Sequence, residues 1–150
     1  MKSSVSTANG QEVPSSVVTK LTVLGATGSI GLNTLEIVRQ FPHKFKIEAL
    51  SCRSSIESLV EQIKEFQPRL VCVDNSEQAR ELRETLRDGN SGTETEFVWG
   101  VDGLVQISSD PEVDLVVAGI VGAAGLQPTF SAVQAGKTVA VANKEPLVMA

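Results

Sequence analysis

The chain has 150 residues, enough for about one domain with a core of its own. Its 41% hydrophobic and 21% charged residues are those of an ordinary globular protein. A net charge of −5, no basic stripe interleaved with aromatics and no apolar run of bilayer length exclude broad nucleic-acid attachment and a membrane span.

Residues 1–19 are rich in Ser and Thr, carry Gly10 and Pro14, and lack both Arg and the apolar stretch of a secretory signal. They read as a leader without fixed structure, with a piece of an organellar presequence left open. From Lys20 to Ala150 strand-like and helix-like segments alternate, which predicts a parallel sheet with helices on both faces. The first strand runs into Gly25-Ala-Thr-Gly28-Ser-Ile-Gly31. Gly25 permits a tight reversal and Gly28 bares the backbone to a phosphate. Gly31 lets the next helix pack closely. N–H groups at that helix start, and its dipole, favour an anion.

The first helix is expected over Ser29–Gln40, with Ile30, Leu35 and Val38 toward the sheet and Pro42 closing it. Lys46–Ser51 is the second strand. A second helix opens at Ser54, where Ser54-Ser55-Ile56-Glu57 has capping-box form, and carries Ile56, Leu59, Val60, Ile63 and Phe66 at helical period. Leu70–Val73 is the third strand, followed by a helix with Ala79, Leu82 and Leu86 on one face. A polar loop over 88–96 precedes a short strand Phe97–Trp99 and a helix Val101–Ser108 weakened by Gly103. Asp114–Ala118 is a buried strand, a helix follows over Leu126–Ala135, and Thr138–Ala142 is the last strand.

The second-strand tip indicates the cofactor. An NAD site places an acid there for the ribose 2′-hydroxyl. Here the tip reads Ser51-Cys52-Arg53-Ser54-Ser55, with a permanent cation and two hydroxyls. That favours NADP. Glu48 lies too early in the strand for the ribose and is expected at an exposed position. Cys52 and Cys72 have no ligand or redox spacing and read as buried thiols. His43 reads as an exposed turn residue, and Phe97 and Trp99 as core or edge packing.

Open α/β sheets bind ligands beyond the carboxyl ends of their strands. Two segments stand there: the small-residue run Gly119–Gly125, and Asn143-Lys144-Glu145, which puts an amide, a cation and a carboxylate directly after a strand.

Gly25-Ala-Thr-Gly-Ser-Ile-Gly31, Ile120-Val-Gly-Ala-Ala-Gly-Leu126 and Ala142-Asn-Lys-Glu145, in this order and spacing, resemble the N-terminal NADPH-binding domain of 1-deoxy-D-xylulose 5-phosphate reductoisomerases. The resemblance implies a Rossmann-like, doubly wound fold over residues 20–150. It also implies an enzyme of non-mevalonate isoprenoid biosynthesis that uses NADPH and Mg²⁺ or Mn²⁺. That enzyme rearranges 1-deoxyxylulose phosphate to a branched aldehyde and reduces it to 2-C-methyl-D-erythritol 4-phosphate.

By the same resemblance Thr27, Gly28, Ser29 and Ile30 line the cofactor phosphates, and Arg53, Ser54 and Ser55 receive the 2′-phosphate. Asn143 and Glu145 touch the cofactor and Lys144 touches the sugar phosphate. The metal-binding acids and catalytic domain are expected outside this chain, which alone would be inactive. Partners expected are a small sugar phosphate and a second copy in a homodimer, with no nucleic acid and no membrane. The expected location is the bacterial cytoplasm, or a plastid in a eukaryote. Cys52-Arg53-Ser54-Ser55 and Pro146 depart from the family pattern.

Other dinucleotide enzymes fit less well. An extended dehydrogenase or epimerase needs a Tyr–Lys pair, and the chain has no tyrosine. A semialdehyde or acyl-phosphate reductase needs a nucleophilic cysteine well downstream, and none follows Cys72. A non-catalytic NADP-sensing or partner-binding domain is the alternative left open.

Overall fold

A computed structural model describes residues 5–8, 11–14, 17–89, 94–120 and 122–141. Strands β1 (Val5–Ala8) and β2 (Gln11–Pro14), within the segment read from sequence as a leader, pair antiparallel as a small separate sheet. Its ends register Val5 with Pro14 and Ala8 with Gln11.

The main sheet has six parallel strands: β3 (Thr19–Leu24), β4 (Phe45–Ser51), β5 (Leu70–Val73), β6 (Glu96–Trp99), β7 (Leu115–Ala118) and β8 (Thr138–Val141). Their spatial order is β6-β5-β4-β3-β7-β8. Helices α1 (Ser29–Gln40), α2 (Ile56–Phe66) and α3 (Ser76–Asp88) follow β3, β4 and β5, while α4 (Gly100–Ser109) and α5 (Leu126–Gln134) follow β6 and β7. Right-handed crossovers put a helix on one face when the chain moves one way along the sheet and on the other face when it moves back. One core accordingly joins Leu35, Val38, Leu59, Ile63, Leu82 and Leu86 to Leu21, Val23 and Val71. The second joins Ile107 and Ala132 to Leu24, Leu70, Cys72 and Val116. Successive residues of β3 and β5 serve opposite cores, the two-residue period of a strand covered on both sides. The expected α/β, doubly wound architecture is therefore present.

Several local details depart from the sequence reading. The capping box at Ser54 does not form: α2 starts at Ile56, with Ser55 at the cap and no side-chain hydrogen bond there. The Ile56 N–H is taken instead by the Ser54 carbonyl. In α3 the cap is made, Asn75 accepting from the Gln78 N–H. Gly103 does not merely weaken α4, because a Cβ there would stand 2.8 Å from the Cys72 sulfur; the glycine lets α4 lie against β5.

Glu48, expected to be exposed, is 3% exposed. It bonds Arg69 Nε at 3.1 Å and Lys46 Nζ at 3.3 Å, and Arg69 also reaches Asp110 at 2.6 Å. This ion cluster sits at the amino ends of the strands. A buried carboxylate is tolerated only when so paired.

Ile30, expected against the sheet, is 38% exposed. The reason is topological. With α1 to α3 all on the β3-to-β6 side, the same face over β7 and β8 has no helix among the described residues. An apolar trough of about 370 Å³ runs there, lined by Ile30, Ile37 and Val38 of α1 and Leu115, Val117 and Ala140 of the strands. No helix of the described residues is long and apolar enough to cross a membrane.

Candidate functional site

Strand β3 is where the winding reverses: α1 carries the chain to β4 on one side, and β7 returns on the other. Such a point opens a crevice at the carboxyl ends of the strands. Leu24 registers with Ala118 and Ala118 with Val141, so β3, β7 and β8 end level.

The glycine turn leaves β3 through Gly25 at φ +78°, a conformation L side chains rarely adopt. A Cβ on Gly25 would stand 3.0 Å from the Gly119 carbonyl oxygen, and one on Gly119 2.8 Å from that of Leu24. The Gly119 N–H donates to Leu24 O at 2.9 Å. The two glycine segments singled out in the sequence thus close on each other across the switch point. Gly31 is the most confined, since a Cβ there would lie 2.3 Å from Gly25 O. It packs the helix onto the turn itself. Gly28 is open, with its nearest neighbour at 3.6 Å.

Hydrogen bonds to neighbouring elements hold the turn. Gly25 N–H donates to Ser51 Oγ at 2.9 Å and Ala26 N–H to Ser51 O at 2.8 Å. From α2, Gln62 Nε2 donates to Ala26 O at 3.0 Å. Gln62 is 6% exposed and its Oε1 has no partner among the described residues. An unpaired buried amide oxygen costs about 1–3 kcal/mol. Thr27 Oγ1 lies 3.4 Å from Cys52 Sγ, tying the turn to the second-strand tip.

Gly28 caps α1 without a side-chain hydrogen bond, and no acid occupies the first turn. The first N–H groups of a helix have no intrahelical acceptor. Ser29 and Ile30 therefore present main-chain donors and the positive end of the dipole at an exposed surface. Thr27, half-buried, and Gly28, exposed, complete this edge. The four phosphate-lining residues expected from sequence are brought together.

Arg53, Ser54 and Ser55 are all exposed between β4 and α2. Gln78 Nε2 donates to the Arg53 carbonyl at 3.2 Å and Gln78 Oε1 accepts from Asp74 N–H at 3.0 Å, which fixes the main chain beneath the guanidinium. With no side-chain cap made at α2, the hydroxyls of this tip are not engaged in capping it. The cation and hydroxyls suit a phosphomonoester.

Cys52, one residue past β4, and Cys72, on β5, are buried free thiols, as expected. Burial, with the Asp74 charge adding to it, pushes the Cys72 thiol up to about 12. Asn143, Lys144 and Glu145 lie outside the described residues. No cluster of three metal-binding side chains occurs among the described residues. Those residues do not fit a divalent ion.

Sequence reasoning missed Ser51 and Gln62. A polar side chain inside the apolar stripe Leu59–Ile63 was the available signal for Gln62, and a hydroxyl ending a strand of buried residues the one for Ser51.

Comparison with known proteins agrees with this geometry. The family model described as 1-deoxy-D-xylulose 5-phosphate reductoisomerase matches residues 21–150. A 1-deoxy-D-xylulose 5-phosphate reductoisomerase of Dechloromonas aromatica is 48% identical over 136 residues, 91% of this chain and 34% of its own length. One from Desulfosudis oleivorans is 49% identical over 131 residues, 87% of this chain and 33% of its own.

Among solved structures, DOX-P reductoisomerase in complex with NADPH, fosmidomycin and magnesium has a TM-score of 0.83 at 44% identity, over 89% of this chain and 32% of that one. The Zymomonas mobilis enzyme in complex with NADPH has a TM-score of 0.80 at 34% identity, over 89% of this chain and 34% of that one. The chain spans about a third of the length of the relatives it matches. With its glycine turn, its switch point and this match over nearly all of its length, the chain belongs to the 1-deoxy-D-xylulose 5-phosphate reductoisomerase family.

Proposed function

We propose that the chain is the NADPH-binding part of an enzyme converting 1-deoxy-D-xylulose 5-phosphate to 2-C-methyl-D-erythritol 4-phosphate. The observation that carries this is the uncapped start of α1, where the Gly25–Gly31 turn meets Gly119 at the switch point and leaves the first main-chain N–H groups of the helix at an exposed surface. The cradle fits a diphosphate: it is open at Gly28 and closed to side chains at Gly25, Gly31 and Gly119.

In this reading Thr27, Gly28, Ser29 and Ile30 hold the diphosphate, and Arg53, Ser54 and Ser55 hold the 2′-phosphate. Asn143 and Glu145 contact the cofactor further along, while Lys144 supplies a cation to the oxyanion of the substrate. The bound cofactor supplies a hydride, and the protein orients it. The Mg²⁺ or Mn²⁺ of the reaction is assigned to residues outside this chain. A homodimer in a bacterial cytoplasm or a plastid completes the proposal.

Calorimetric titration with NADPH and NADH tests it, alongside turnover of the full-length enzyme with 1-deoxyxylulose phosphate and Mg²⁺. Tight NADPH binding with turnover is expected. Equal affinity for the two nucleotides would remove the 2′-phosphate assignment, and no binding at all would remove the whole reading.

A further inference from the structure

We infer that Gln62 is a positioning residue for the cofactor turn, setting the direction in which the Thr27 N–H points; this rests on the NADPH reading above. Gln62 lies on α2 between Leu59 and Ile63, turned inward with them, and its Nε2 donates to the carbonyl of Ala26 at 3.0 Å. Ala26 is fully buried and its own N–H is held by the Ser51 carbonyl. The Ala26 carbonyl and the Thr27 N–H belong to one planar trans peptide, in which they point in opposite directions. A carbonyl pinned toward α2 therefore turns the Thr27 N–H away from α2, to the open side of the turn.

The remaining atom of the amide makes the point sharper. Gln62 Oε1 is buried and has no partner among the described residues, so a leucine or methionine would serve the core better. What the amide provides that an apolar side chain lacks is the single bond to Ala26. No other described side chain reaches that carbonyl.

The test uses the full-length enzyme and the variants Gln62→Leu and Gln62→Glu. For Gln62→Leu the NADPH dissociation constant rises about tenfold, as for the loss of one well-aligned hydrogen bond. The KM for the sugar phosphate stays within about twofold and Tm changes little, because the orphaned Gln62 oxygen is removed while the buried Ala26 carbonyl loses its donor.

Gln62→Glu supplies the conservative rescue. Its carboxyl donates to Ala26 O when protonated and repels it when ionised. The affinity ratio of variant to wild type for NADPH therefore approaches one at acid pH and worsens as pH rises. NADPH affinity of Gln62→Leu within twofold of wild type overturns the inference. So does a loss shared equally by Tm and by both substrates, which marks a purely structural side chain. Failure of the wild-type enzyme to bind NADPH is a separate result, and it removes the reading beneath.

Discussion

Gly25 and Gly119 meet main chain to main chain, the open site of a Cβ on the first lying 3.0 Å from the carbonyl oxygen of the second. This contact joins the turn after β3 to the exit of β7 and so defines how wide the crevice is. Gly119→Ala places a methyl 2.8 Å from the Leu24 carbonyl, which the backbone must relieve by parting. A loss of about 1–3 kcal/mol is expected in urea unfolding, with weakened NADPH binding by calorimetry.

Two other glycines separate stability from binding. Gly31→Ala drives a methyl to 2.3 Å from Gly25 O and is expected to cost about 3 kcal/mol or more. Gly28→Ala meets nothing closer than 3.6 Å and should change stability by under about 1 kcal/mol. Yet its methyl stands on the surface offered to the diphosphate, so NADPH affinity falls at least about tenfold. Thermal melts beside titrations distinguish the two.

Arg53→Ala removes the one permanent cation of the second-strand tip. NADPH affinity should drop about tenfold while NADH affinity stays within twofold, because only the former carries the phosphomonoester. Calorimetry with both nucleotides reads the difference, and a parallel fall for both would place Arg53 elsewhere in the site.

The Cys72 thiol yields a pH dependence. Burial, then the Asp74 charge, holds its proton in the folded state to about 12, against an ordinary 9.0. The unfolded chain gives up that proton first. The contribution to stability is thus complete below about pH 9 and is lost as pH climbs toward 12. Urea unfolding across that window should show a decline that is shallower in Cys72→Ala. At pH 8 the native thiol should resist alkylation.

At the opposite end of the sheet, Arg69→Ala leaves the buried Glu48 with Lys46 alone, at 3.3 Å. Arg69 is itself 44% exposed, so the full penalty of a broken interior pair is discounted to about 1–3 kcal/mol. Glu36→Ala, which removes a partner from an exposed pair with Arg39, should change stability by under about 1 kcal/mol. Chemical unfolding of the two variants gives the comparison.

What could be read in the sequence was what depends on near neighbours. The turn from Gly25 to Gly31, the span of α1 and the apolar stripe of α2 follow from spacing within a dozen residues, and each appears in the fold. Glu48 was misplaced because its partner Arg69 arrives from another strand, 21 residues away. Ile30 was misplaced because its exposure depends on which way β7 and β8 turn, a property of the whole winding. The second-strand tip was misread as a cap, since the Ser54 carbonyl takes the Ile56 N–H in place of a side chain. Gln62 stood out only as a polar side chain in an apolar stripe, and its partner needed the third dimension: 36 residues separate it from the carbonyl it holds.

The trough beside α1 bears on how the sheet comes apart. Among the described residues β8 lies at one edge of the sheet, and its residues alternate between exposed and half-buried, whereas the last four residues of β3 are all buried. With solvent also reaching Ala140 and Val141 along the trough, its four-residue ladder to β7 should open locally at low cost, and its amides should exchange with deuterium ahead of those in β3 and β5. The strand that leads in sequence to Asn143, Lys144 and Glu145 is therefore expected to open before the centre of the sheet.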